Sequence, residues 1–181
     1  MEIRRQTIAK ALATAFIVNL VVMGLGAYHS AQQVPPIPQE VVGPNGDTIA
    51  TQSEVQAGKT AFQQYGLMNH GSILGNGAYF GVDYTADALD LKVKYMREYY
   101  ARERYNTPYT DLSPAEQGSV DRLVEIGLDE SYNAGTETIQ YSAAESYAHQ
   151  RVTQVYVERF HEGTPDRGVP ANFIRTERQA R

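Results

Sequence analysis

The spacing of apolar and polar positions divides this 181-residue chain into blocks of different period. The first block is continuous: from Ala11 to Tyr28 only Thr14 and Asn19 are clearly polar. About 18 to 20 apolar residues, rising 1.5 Å each, cross a hydrocarbon core of roughly 30 Å, so the run predicts a transmembrane helix over 11–29. Arg4, Arg5 and Lys10 precede it, which places residues 1–10 in the cytoplasm and the bulk of the chain on the extracytoplasmic side. A cleaved secretory signal is the rival reading, because a basic start, an apolar middle and Ser30-Ala31 are all present. Against cleavage, the run is longer than a usual signal core, and His29 stands where a small residue is wanted.

The next block, 30–52, has no helical period. Pro35, Pro36 and Pro38 predict a stiff extended linker, since each proline fixes its own φ and biases its predecessor toward extended backbone. Val41-Val42 and Thr48-Ile49-Ala50 flank Gly43-Pro44-Asn45-Gly46-Asp47, and Asn-Gly between short apolar runs signals a hairpin.

From 53 to 163 three- and four-residue steps dominate. Ser53 to Gln56 has the form of a capping box, predicting a helix to about Tyr65 that Gly66 stops. Thr85 is the expected cap of a second helix reaching about Tyr105, with Leu89, Val93, Met96 and Tyr100 as its packed stripe. Ser113-Pro114-Ala115-Glu116 opens a third helix that ends at Ile126 or Gly127. Tyr132 to Thr136 and Thr138 to Tyr141 predict a second small hairpin. Ser142 and Glu145 then cap a last helix running to about Glu162, with Tyr147, Val152, Val155, Tyr156 and Phe160 as its buried set. The tail, 164–181, is polar and carries no clear pattern. The fold class is therefore mainly α, with one transmembrane helix and small β-hairpins.

Composition removes several function classes. There is no cysteine, which excludes disulfides, a thiol nucleophile, thiolate metal sites and covalent c-type haem. Of 16 basic and 21 acidic residues, 3 basic and 1 acidic lie before the apolar run, leaving 13 and 20 beyond it and a formal charge of −7 there. Nucleic acid, bound through clustered Lys and Arg, is not a partner for such a surface. Thirteen tyrosines without a tryptophan, several within Tyr95 to Tyr100, suit a protein or membrane interface where a ring is buried and its hydroxyl stays wet.

The candidate chemistry concentrates in Gly66-Leu67-Met68-Asn69-His70-Gly71-Ser72-Ile73-Leu74-Gly75-Asn76-Gly77-Ala78-Tyr79-Phe80. So many glycines mark irregular backbone held close to something, or a tightly packed loop. Gly75-Asn76-Gly77 is no dinucleotide fingerprint, because no third glycine follows at the right offset and no βαβ pattern surrounds it. His29, His70, His149 and His161 lack the i,i+4 spacing of a zinc pair. Glu54, Asp83, Asp87 and Asp90 could pair for glycoside hydrolysis only at a separation in space that sequence does not show. Acids at a helix start are the simpler reading for three of them.

The Val34-Pro35-Pro36-Ile37-Pro38 linker, Val41-Val42, the Asn-Gly hairpin and Tyr65-Gly66-Leu67-Met68 running into Gly71 to Phe80 and Asp83-Tyr84-Thr85-Ala86-Asp87 resemble the N-terminal region of quinol-dependent nitric oxide reductases. That region is similar to the cytochrome c subunit of the two-subunit nitric oxide reductase, fused to the catalytic subunit and stripped of its haem. The resemblance is dense over 31–89 and collinear through Ser113-Pro114-Ala115-Glu116 and the last helix. It implies a cytochrome-c-like helical domain in which Leu67-Met68-Asn69-His70-Gly71 lie over the lost haem-attachment motif. It also implies a non-catalytic role, capping a multi-helix membrane partner that carries haem b, haem b3 and non-haem iron and reduces two NO to N2O with electrons from quinol. No catalytic or haem-binding residue is carried over. By position, Gly77 and Tyr79 would offer backbone carbonyls to a calcium ion at the subunit junction, a chemistry calcium accepts. Asn76 departs from the histidine more usual there, and the family continues into about a dozen further transmembrane helices, so the chain is expected to be either a separately encoded subunit or a piece of a longer protein. A nitric oxide dismutase-type enzyme shares this architecture. From another class, a membrane-tethered scaffold or binding module without an enzyme partner is the alternative.

Overall fold

The computed structural model describes residues 5–32, 37–78, 81–129, 132–164, 169–171 and 173–176. The chain divides into two units, Met1–Ile37 and Pro38–Arg181. In the first, helix α1 covers Arg5–Gln32 with every residue exposed. A mean hydropathy of 2.0 over its best window, with 28 residues of length, makes it long and apolar enough to cross a bilayer. The Asn19 side chain turns back to donate to the Ala15 carbonyl at 2.9 Å, which satisfies part of its amide within the helix.

The second unit is mostly helical. Strands β1 (Glu40–Val42) and β2 (Thr48–Thr51) form the expected antiparallel hairpin, with a bulge between Val41 and Val42. Helix α2, Gln52–Gln64, begins earlier than expected. Its cap is Thr51: Thr51 Oγ1 accepts from the Glu54 amide while Glu54 Oε2 accepts from the Thr51 amide. The carboxylate of Glu54 makes the stronger, charge-assisted bond that the Gln56 amide cannot. Gly66, at φ +63, ends the helix as predicted.

A two-stranded ladder, β3 (Ser72–Ile73) and β4 (Asn76–Gly77), leads to α3, Tyr84–Tyr105. Helices α4 (Pro114–Gly127) and α5 (Ala143–His161) start at the capping boxes of Ser113 with Glu116 and Ser142 with Glu145. Between them lie β5 (Tyr132–Asn133) and β6 (Thr138–Gln140), the second expected hairpin. The two hairpins, which sequence periodicity leaves separate, are one sheet of order β2-β1-β6-β5, joined by parallel pairing of β1 with β6. The Gln39 amide donates to the Glu137 carbonyl and the Tyr141 amide to the Val42 carbonyl at either end of that seam.

The core lies where α3 meets α4 and α5. Met96, Val124, Ala144 and Ala148 are buried together, with Val93, Tyr95, Tyr99 and Tyr100 around them, and Ala101, Leu112 and Val120 form a second group. The stripe expected on α3 is corrected at one position: Leu89 is 55% exposed and Leu91 is buried instead. On α5 the small Ala144 and Ala148, rather than the expected larger side chains, are the fully buried residues, because they let the helix approach α3 closely. Part of the tail is also packed: Ile174 is buried and its amide donates to the Phe160 carbonyl at 3.0 Å.

Candidate functional site

The glycine segment folds as a braced knot on the N-terminus of α3. After Gly66 a single 3-10 turn, Leu67–Asn69, buries Leu67. The chain then crosses itself, because the Ala78 amide donates to both the Met68 and Gly71 carbonyls and the Ser72 amide to the Val82 carbonyl. Three glycines permit that crossing. A Cβ on Gly71 would strike the Val82 carbonyl and the Tyr84 ring, one on Gly77 the Gly71 carbonyl, and one on Gly81 the His70 carbonyl. Gly77 also has φ +149, a backbone that side chains resist.

Leu74 (φ +52) and Gly75 (φ +75) form the tip between β3 and β4, the type I′ pattern of positive φ at both central residues. One carboxylate secures this tip to the helix. Asp83 Oδ2 accepts from the Ser72 hydroxyl at 2.6 Å and the Gly75 amide at 2.7 Å, while Oδ1 accepts from the amides of Thr85 and Ala86, each at 3.0 Å. Asp83, not the expected Thr85, is thus the cap of α3. Thr85 serves the tip instead, its hydroxyl accepting from the Leu74 amide at 3.1 Å. The Ser72 hydroxyl first, then the backbone donors, hold the Asp83 carboxyl down to about 2.

Of the other acids weighed as candidates, Glu54 and Asp87 have structural partners, and Asp90 is exposed on α3. Glu54 closes the α2 cap. Asp87 is paired with Arg159 and accepts from the Tyr156 hydroxyl at 2.8 Å, joining α3 to α5. Burial, then the Asp87 hydrogen bond, pushes the Tyr156 phenol upward. Within the second unit the histidines do not converge. The His70 ring meets Phe173 edge-on at 4.6 Å, His161 Nδ1 lies 3.0 Å from the Ile174 carbonyl, His149 faces the Tyr141 ring, and His29 sits on α1.

These residues do not fit a c-type haem. There is no thiol to attach one, Leu67 to Gly71 are engaged in the turn just described, and the contact of α3 with α4 and α5 is filled by side chains. For calcium, Gly77 lies exposed at the end of β4 and Tyr79 lies outside the described residues. Among the described residues no group of three or more His, Cys, Asp or Glu gathers for a metal. Asp83, the acid nearest in the knot, has its oxygens committed to four donors.

What the knot does present is apolar surface: Ile73 is 40% and Leu74 66% exposed. The glycines stand out in the sequence, but Asp83 as their anchor does not. The signal that could have found it is the Asp followed by two amides at a helix start, Asp83-Tyr84-Thr85-Ala86, an Asx-type cap. Set against known proteins, residues 38–181 match the family model for the NorB cytochrome c-like domain of nitric oxide reductase. No curated protein matches the chain.

Proposed function

Because this chain belongs to the family of NorB cytochrome c-like domains of nitric oxide reductase, we propose that it is a membrane-anchored, non-catalytic domain that caps the haem-bearing core of a quinol-dependent nitric oxide reductase. The core, a multi-helix membrane partner or a further part of the same polypeptide, would carry haem b, haem b3 and non-haem iron and reduce two NO to N2O and water. A cap without a covalent haem would not relay electrons from a soluble cytochrome, and in this reading they enter from quinol in the membrane.

The observation that carries this reading is the glycine knot. Where a relative would anchor iron through two thiols, this chain has Leu67 to Gly71 in a hydrogen-bonded turn, braced by Asp83 rather than by a porphyrin. The α1 helix supports the anchor, and the excess of basic over acidic residues before it supports an extracytoplasmic position for the rest. A calcium ion on the Gly77 and Tyr79 carbonyls would draw its remaining oxygens from the partner.

The test is purification of the tagged chain from its native membranes. A partner with b-type haem absorbance should accompany it, and the preparation should consume NO when given quinol but not when given reduced soluble cytochrome c. The chain separated from that partner should show no Soret band. Recovery without any haem-bearing partner, or a Soret band belonging to the chain itself, would overturn the proposal.

A further inference from the structure

The tip of the glycine knot is built in a way that folding of this chain alone does not require. Leu74 occupies a left-handed position, φ +52, that Asn or Gly fills with less strain. Its side chain gains little inside the chain in return, being 66% exposed beside a 40% exposed Ile73. Yet the turn is held firmly, by Asp83 on the Gly75 amide and by Thr85 on the Leu74 amide, and both of those residues are fixed at the start of α3. Strain that the surrounding structure sustains, at an exposed apolar pair, marks an element prepared for a receiving surface.

We propose that Ile73 and Leu74 form the docking knob of this domain, seated in an apolar recess on the extracytoplasmic face of the haem-bearing partner. The proposal rests on the function proposed above. Charge selects a protein recess over lipid. From Gly66 to Val82 there is no Asp, Glu, Lys or Arg, within an exported part whose formal charge is −7. An anionic bilayer surface repels that domain, and no Lys or Arg within the segment from Gly66 to Val82 is there to hold a headgroup. A neutral apolar recess in a protein meets neither obstacle and removes both side chains from water.

The absence of cysteine makes the test direct. Leu74→Cys and, as a control, Ile126→Cys each place one thiol in the chain, at positions 66% and 57% exposed when the chain stands alone. Ile126 is next to Gly127, which lies against Met96 and Tyr100 in the middle of α3, away from the knot. In native membranes the maleimide reaction should be at least about tenfold slower at position 74 than at 126, as for a side chain in the dry centre of an interface. The difference should persist in detergent while the b-haem partner still co-elutes, and Ile73→Cys should behave as Leu74→Cys does. Equal rates in a preparation that retains the haem-bearing partner overturn the knob and leave the proposed function standing. Protection that vanishes when detergent replaces lipid, with the partner still bound, assigns the cover to the bilayer and also overturns it. Failure to recover any haem-bearing partner removes the proposed function and this inference together.

Discussion

Asp83 shows how much one side chain can organise. Its carboxylate accepts from Ser72, Gly75, Thr85 and Ala86, so it joins a hairpin tip to a helix start. A carboxyl held at about 2, below its usual 3.8, contributes stability that is complete above the usual value and lost as pH falls toward 2. Amide exchange at Gly75, Thr85 and Ala86 should therefore quicken across that acid range, and Asp83→Asn should give the fast exchange already at neutral pH. Leu74 offers the opposite experiment. Leu74→Asn supplies the residue that a type I′ turn prefers before Gly75, so the purified chain should gain about 0.5–1 kcal/mol in urea unfolding. If the knob is functional, the same change should weaken attachment to the partner. The glycines of this segment were legible in the sequence, but the role of Asp83 was not. Ser72 and Gly75 reach its oxygens only because Gly71, Gly77 and Gly81 let the backbone cross itself, and no local pattern announces a crossing.

Among the elements, the caps were the most legible feature. The boxes at Ser113 and Ser142 are where periodicity and polar chemistry put them, since both partners of each lie three residues apart. Choosing which face of a helix is buried was harder. On α3 the stripe through Leu89 fits a regular period, but the fold buries Leu91 and leaves Leu89 in solvent. Met96→Ala should accordingly cost about 2–5 kcal/mol, as for a fully enclosed side chain, and Leu89→Ala within about 0.5 kcal/mol of nothing, both read from chemical denaturation. The link between α3 and α5 is testable through its ion pair, whose side chains are 17% and 13% exposed for Arg159 and Asp87. Arg159→Ala takes this cation away from a largely enclosed carboxylate, so a loss of about 3 kcal/mol is expected, with Asp87→Asn milder because the Tyr156 hydroxyl keeps an acceptor.

For the molecule as a whole, stability should depend on pH through His149. Burial first, and Lys92 second, lowers its affinity for a proton. The unfolded chain then takes up protons more readily, so stability is full above the ordinary value of 6.5 and declines as pH falls below it. The melting temperature should drop between about pH 7.5 and 5.5, and His149→Gln should flatten that dependence. The helical class and the two hairpins could be read from the chain because each rests on neighbours in sequence. Their union into one sheet could not, since Gln39 and Glu137 are 98 residues apart and parallel pairing leaves no turn signal. That seam has a consequence for biosynthesis. At about 5–20 residues per second, roughly 5–20 s separate the emergence of β1 from that of the strand it needs. Through that interval the chain carries an open edge, and the brevity of β1, three residues, guards it against pairing with another chain.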